Sequence, residues 1–141
     1  TLCKEGAPLI RYRTHDLTRI MTGTCPCGSR YPRIDIITGR TDDMVKVKGV
    51  NMFPAQFEEV LSAVPDASSE YQVMIDHLEG KDILTLFFET PAPKERWQDI
   101  ESQVAEKFRE VVGPTINPKA VKVGDLPRSE KKTSRIFDNR Y

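Results

Sequence analysis

Carboxylates, guanidinium groups, thiols and ammonium groups stand close together at several points of this chain. Asp16 follows Thr14 and His15, and an ionised carboxylate offers about four lone-pair sites for accepting hydrogen bonds. The run Gly39-Arg40-Thr41-Asp42-Asp43 sets two acids beside a guanidinium, a rigid donor fork that matches carboxylates and phosphates. Lys46, Lys48 and Gly49 follow directly. Cys25 and Cys27, one residue apart and followed by Gly28, look like half of a zinc knuckle. Tetrahedral zinc needs four ligands, and beyond this pair the chain has only Cys3, His15 and the distant His77. Near the end, Arg128, Lys131, Lys132 and Arg135 form a basic run. Each group also has a plainer reading: a turn aspartate beside a strand end, a solvated turn arginine, an edge strand whose lysines discourage aggregation, unliganded thiols, a solvated basic tail.

The elements that must position these residues follow from periodicity and turn chemistry. Residues 9–21 mix β-branched, aromatic and polar side chains and predict one or two short strands. Gly23, Pro26, Gly28 and Pro32 punctuate the loop that carries the cysteines. Arg33 to Thr38 reads as a strand closed by Gly39, and Met44 to Val47 as a short alternating strand ending at Gly49. A helix is expected from Pro54, which is tolerated in a first turn, with Phe57, Val60, Leu61 and Val64 on one face and Pro65 as its stop. Residues 71–78 and 83–89 read as antiparallel neighbours joined by Glu79-Gly80-Lys81-Asp82. Between 94 and 112, Trp97, Ile100, Val104, Phe108 and Val111 recur every three or four residues, and Gly113-Pro114 ends that helix. Ala120 to Val123 is a last short strand, and the tail from Pro127 is too polar to be core. Two helices over a small mixed sheet make an α+β fold of about 90 residues, with residues 1–40 adding strands that belong elsewhere.

Composition narrows the function classes. With 141 residues, the chain is long enough for one domain and too short for a two-lobed enzyme with its own complete cleft. Lysine plus arginine and aspartate plus glutamate both total 21, which argues against a general nucleic-acid binder. The balance hides a pattern, since residues 1–40 carry +4, residues 41–113 carry −8 and residues 114–141 carry +4. No apolar run approaches the roughly 18 residues of a membrane span, and no signal-peptide layout opens the chain. Three cysteines, an odd number, favour a reducing compartment over a disulfide scaffold. The expected setting is therefore the cytoplasm, without membrane or nucleic-acid partners. Because the chain opens on Thr1, an excised piece of a longer polypeptide is expected.

Taken together, Tyr12-Arg13-Thr14-His15-Asp16, the stretch Gly39 to Gly49 and Lys132-Thr133-Ser134-Arg135 resemble the last third of an adenylate-forming enzyme. Within that superfamily, Val50-Asn51-Met52-Phe53-Pro54, the Cys-Pro-Cys-Gly loop and the ending Leu126 to Lys132 are similar to the phenylacetate-coenzyme A ligase family. The resemblance implies residues 1–41 as the last strands of a large domain's β-barrel and residues 42–141 as a mobile C-terminal lid. It implies that Asp16 accepts the ribose hydroxyls of the nucleotide and that Arg40 reaches the ribose or phosphate side. Asp42, rather than Asp43, would be the hinge. Lys132 would be the tail lysine that enters the active site during adenylate formation, the Lys-x-x-Arg spacing to Arg135 favouring it over Lys131. Lys46, Lys48 and Gly49 would turn toward coenzyme A in the second half-reaction, with Gly49 leaving room for pantetheine. His15 departs from the superfamily pattern, which usually has Gly there.

The implied activity is an ATP-dependent, AMP-forming ligation of a phenylacetate-like aryl acid to coenzyme A, with magnesium assisting. The phosphate loop, the magnesium carboxylate and the aryl pocket would lie in a missing N-terminal adenylation domain, so the chain alone is expected to be inactive. A structural zinc at Cys25 and Cys27 would need ligands from that domain too. The alternatives are a zinc-knuckle nucleic-acid-binding module, which the acidic middle disfavours, and a non-catalytic partner-binding module.

Overall fold

A computed structural model of the chain describes Gly6, residues 8–127 and residues 135–140. It divides into two compact units, Thr1–Asp43 and Met44–Tyr141.

The first unit is held by two small antiparallel ladders. β1 (Asp16–Leu17) pairs with β4 (Gly39–Arg40), and β2 (Ile20–Met21) pairs with β3 (Arg33–Ile34). The strand expected over 33–38 is paired only at its start, and the chain re-enters a ladder at Gly39. Side chains join where the ladders are short: Thr18 Oγ1 donates to the Asp35 carbonyl at 2.9 Å and Arg19 pairs with Asp35 at 2.6 Å. Much of the apolar surface is uncovered, with Ile10, Ile20, Tyr31 and Ile36 each more than two-thirds exposed.

The second unit opens with a hairpin. β5 (Val45–Val47) and β6 (Val50–Met52) are joined by Lys48-Gly49, with Val47 opposite Val50. Both turn residues have positive φ, 50° and 81°, the backbone of a type I′ turn that matches the twist of the strands it joins. The single strand ending at Gly49 is thus corrected to two strands around it. Val47 and Met52 are fully buried, and this apolar alternation sets the hairpin's inner face.

α1 (Pro54–Ser62) starts on a proline, and the Phe53 N–H donates to the Gln56 side chain at 2.9 Å, satisfying one of the first-turn donors. β7 (Tyr71–Leu78) and β8 (Lys81–Thr90) pair antiparallel. Their connection is shorter than the four residues expected: Glu79 and Gly80, with φ of 50° and 75°, form a second two-residue turn. α2 (Trp97–Val111) begins at Trp97, after a tighter turn over Lys94–Arg96. β9 (Asn117–Lys122) starts earlier than Ala120 and includes Pro118, which is tolerated because β9 is an edge strand.

The polar tail holds the largest correction. Ile136–Asp138 forms β10, parallel to β7, and Ile136 packs on the core. The resulting order, β10-β7-β8-β9, is a mixed four-stranded sheet with two helices, an α+β fold as the sequence suggested. Phe57 of α1 lies 5.3 Å from Phe108 of α2 and 6.0 Å from Tyr71 of β7 between ring centroids, so both helices and the sheet meet at that ring.

Candidate functional site

Asp16 and Arg40 come together because β1 and β4 pair with those two residues directly opposite. A cross-strand register places such side chains on one face. Arg40 Nη1 lies 3.6 Å from Asp16 Oδ1, an ion pair too long for a hydrogen bond. Its fork is turned instead to Asp42, with Nε to Oδ1 at 3.0 Å and Nη2 to Oδ2 at 2.7 Å. Asp43 Oδ2 stands 3.8 Å from Arg40 Nε. Hydrogen bonding to Asp42 holds the Arg40 guanidinium above its ordinary range, and the same bonds hold Asp42 below the usual carboxylate range. Asp16 keeps oxygen lone pairs for another donor, and its side chain is only about one-quarter exposed (27%).

His15 explains why a glycine suits its position. Its φ is 67°, in the left-handed region that glycine enters freely and that histidine occupies more often than most residues. Its carbonyl accepts the Thr41 N–H at 2.8 Å, and its Nδ1 lies 3.2 Å from Thr41 Oγ1. These contacts extend the β1–β4 ladder by one residue and hold both strands on that side of the Asp16–Arg40 pair.

Cys25 and Cys27 occupy a β-turn closed by the Gly28 N–H to the Cys25 carbonyl at 2.9 Å, with Pro26 in the position that suits its fixed φ. The two sulfurs are 2.9 Å apart. Two thiols are half of a tetrahedral zinc set, and among the described residues no group of three or more His, Cys, Asp or Glu side chains is placed to hold a metal ion. The described residues therefore do not fit zinc. A hydrogen bond from Cys25, reinforced by the Ser29 N–H, holds the Cys27 thiol below its ordinary value. Thiolate is the reactive form, so iodoacetamide at neutral pH is expected to label Cys27 before Cys25, and Cys25→Ala to slow Cys27. Peptide mass spectrometry reads both rates; equal rates, or a Cys27 rate unmoved by the substitution, contradict the assignment.

The remaining predicted residues lie in the second unit. Lys46 is on β5, and Gly49 is the second turn residue of its hairpin. Its positive φ gives Gly49 a backbone reason to be glycine, and a Cβ there would meet nothing within 4 Å. Lys48 donates from Nζ to the Thr115 carbonyl at 3.1 Å. Lys132 lies outside the described residues. Arg135, three positions later, is firmly held: Nη1 donates to the Ser69 carbonyl at 3.0 Å, and the guanidinium stacks 4.9 Å from the Tyr71 ring centroid.

Sequence reading missed Arg140 and Asp82. Arg140, with a side chain 13% exposed, bonds Asp138, Asp82 and the Lys46 carbonyl. Only the parallel pairing of β10 with β7 brings these groups together, and no local spacing announces it.

Comparison with known proteins places the chain among acid–coenzyme A ligase relatives. Phenylacetate-coenzyme A ligase of Escherichia coli (strain K12) is 38% identical over 146 residues, covering 99% of this chain and 32% of the relative. The chain thus spans about a third of that relative's length. A solved domain of phenylacetate-coenzyme A ligase from Bacteroides vulgatus ATCC 8482 superposes with a TM-score of 0.62 at 29% identity, covering 71% of this chain and 95% of that one. 2-Hydroxyisobutyryl-CoA ligase, solved in the postadenylation state with R3-HIB-AMP, gives a TM-score of 0.77 at 27% identity over 94% of this chain and 29% of its own. The model of the AMP-binding enzyme C-terminal domain matches residues 49–140. That match takes in β6, both helices, the whole mixed sheet and Arg140, and the chain belongs to the AMP-binding enzyme C-terminal domain family.

Proposed function

We propose that this chain is the C-terminal part of an ATP-dependent coenzyme A ligase for an aryl acid of the phenylacetate type. The reaction runs through an acyl-adenylate and then a thioester. The alignment of 99% of the chain with a phenylacetate-coenzyme A ligase carries this conclusion. The Asp16–Arg40 pair supports it.

Residues 1–41 are assigned to the end of a large adenylation domain and residues 42–141 to its mobile lid. The uncovered apolar side chains of the first unit suit a surface that the rest of that domain would cover. Asp16 accepts the two ribose hydroxyls of ATP, a task its lone pairs allow. Arg40 serves the ribose or phosphate side, and must share or leave its fork on Asp42 to do so. Asp42 is the hinge, and the compact units divide after Asp43, one residue further on. A hinge concentrates large backbone changes in a few residues.

Lys132 is assigned to the first half-reaction, in which a carboxylate oxygen of the acid attacks the α-phosphorus of ATP and pyrophosphate leaves. An ammonium placed between attacking and leaving oxygens stabilises charge that grows only in the transition state. The hold on Arg135 anchors one end of the Lys132-x-x-Arg135 segment to the lid. In the second half-reaction the sulfur of coenzyme A attacks the acyl carbon and AMP leaves, with Lys46 and Gly49 on the coenzyme A side. Magnesium supplies charge neutralisation to the phosphates. None of the described residues makes its site, and its carboxylate is assigned to the N-terminal adenylation domain. The setting is the cytoplasm, where thiols stay reduced.

The test is product identity. The full-length protein given ATP, coenzyme A and a panel of aryl acids is expected to release AMP, pyrophosphate and an aryl-coenzyme A thioester, and the chain of 141 residues alone none of them. ADP and phosphate as products, or no acid-dependent turnover across the panel, would overturn the proposal.

A further inference from the structure

A two-stranded hairpin is marginal without outside support, and among the described residues no third strand pairs with the β5–β6 hairpin. Its inner face is secured by Val47 and Met52 in the core. The outer edge is a separate matter. In a two-residue hairpin the residues flanking the turn, Val47 and Val50, form the hydrogen-bonded pair, so the next pair, Lys46 and Asn51, points its backbone groups outward. The Lys46 carbonyl therefore needs a donor from outside the ladder.

Arg140 provides it. Its Nη1 donates to the Lys46 carbonyl at 3.0 Å and to Asp82 Oδ2 at 2.9 Å. Its Nε and Nη2 are forked on Asp138 at 2.8 and 2.6 Å, which fixes the plane of the guanidinium. Asp82, near the tip of the second hairpin, also accepts from His77 Nδ1 at 2.9 Å. The His77 bond first, then those from Arg140 and the Lys48 N–H, keep Asp82 below the usual carboxylate range and hence ionised. Asp82 thus helps to hold the Arg140 guanidinium, whose Nη1 in turn holds Lys46. The base of the brace is the β10 ladder, continued by the Asn139 N–H to the Ile75 carbonyl at 2.8 Å. Beside the turn lies an open cleft of about 1090 Å³ bordered by Lys48, Glu79, Lys81 and Thr115, where Lys48 Nζ also donates to the Thr115 carbonyl at 3.1 Å.

We infer that Arg140, with Asp82, is a positioning residue for thioester formation: it fixes the edge of the hairpin that carries Lys46 and Gly49, and rests on the coenzyme A-side role proposed for that hairpin. Lysine cannot replace it, because one ammonium cannot fork Asp138 and also reach Asp82 and the Lys46 carbonyl.

The test uses full-length enzyme carrying Arg140→Lys, with Asp82→Asn as a second, independent break in the brace. Three readings are taken: hydrogen exchange of residues 45–52, acid-dependent ATP/pyrophosphate exchange, and thioester formation from supplied acyl-adenylate. Both variants are expected to speed exchange of the hairpin amides. They should raise the KM for coenzyme A or slow thioester formation by between about tenfold and a hundredfold, the scale of small misplacements at a reacting centre, while changing ATP/pyrophosphate exchange less than about twofold. The double variant should cost little more than either single one, because both break one network. Unchanged hairpin exchange, or equal loss in both half-reactions, overturns the inference while the wild type still makes thioester. Wild type that makes no thioester with any acid overturns the functional proposal itself, and the inference with it.

Discussion

Replacing Lys132 with alanine in the full-length enzyme is expected to slow adenylate formation by about a hundredfold to a thousandfold, the usual cost of removing one preorganised donor from a charge-developing transition state. Thioester formation from supplied acyl-adenylate should stay within about twofold of wild type, because α-phosphate chemistry is already complete when that step begins. Lys131→Ala is the control for register: the Lys132-x-x-Arg135 spacing assigns the role to the second lysine, so Lys131→Ala should leave both half-reactions nearly unchanged. Single-turnover quench-flow reads the two steps separately. A Lys132→Ala enzyme that loses both half-reactions equally would remove Lys132 from its assigned step.

The second large effect is expected at Asp42. Proline there fixes φ near −65° and restricts Thr41 as well, so a hinge motion that needs φ of this residue to change is blocked. Asp42→Pro also removes the carboxylate that holds the Arg40 fork. Asp42→Ala separates the two losses, since it deletes the carboxylate and leaves φ free. The two-step rate of Asp42→Pro should fall by on the order of tenfold to a hundredfold, with at least one isolated half-reaction retained. Asp42→Ala should lose much less. If alanine is as damaging as proline, the Arg40–Asp42 fork is what matters and Asp42 is not the pivot. If neither changes the overall rate, the hinge lies elsewhere.

The parts of the molecule legible in the sequence are those with local causes. The α2 stripe of Ile100, Val104 and Phe108 sits at helical spacing and is buried as that spacing demands. β7 and β8 alternate, and a turn residue of positive φ lies between them. Even errors there were local. Gly49 reads as the end of a single strand, because Lys48 is not among the residues that favour the first centre of a type I′ turn, although it adopts the positive φ the turn requires.

The illegible parts depend on partners far apart in the chain. β10 is three residues long and pairs with a strand 63 residues upstream, so Ile136 and Phe137 form too short an apolar run, set in a polar tail, to announce it as a strand. Arg140 inherits its place from that pairing, and so does its hold on Lys46, 94 residues away. Asp16 and Arg40 are singled out one by one by the family resemblance, while their pairing across β1 and β4 has no local signal. The fork of Arg40 lies on Asp42, which links the arginine proposed for the nucleotide side to the candidate hinge in a way that residue types alone leave open. The thiol loop shows the opposite limit. Its spacing suggested a metal, whereas a site needs ligands from several segments, and among the described residues only two thiols are brought together.

The central claim, adenylation of a carboxylic acid followed by transfer to coenzyme A, is tested most directly by the fate of the carboxylate oxygen. Full-length enzyme is supplied with ATP, coenzyme A and an aryl acid labelled with oxygen-18 in its carboxylate, and the products are weighed by mass spectrometry. Attack of that carboxylate on the α-phosphorus, followed by thiol attack on the acyl carbon, leaves one labelled oxygen in AMP and none in pyrophosphate. Label in inorganic phosphate with ADP formed would indicate an acyl phosphate instead, and unlabelled AMP would mean that the acid never joined the nucleotide; either result contradicts the account.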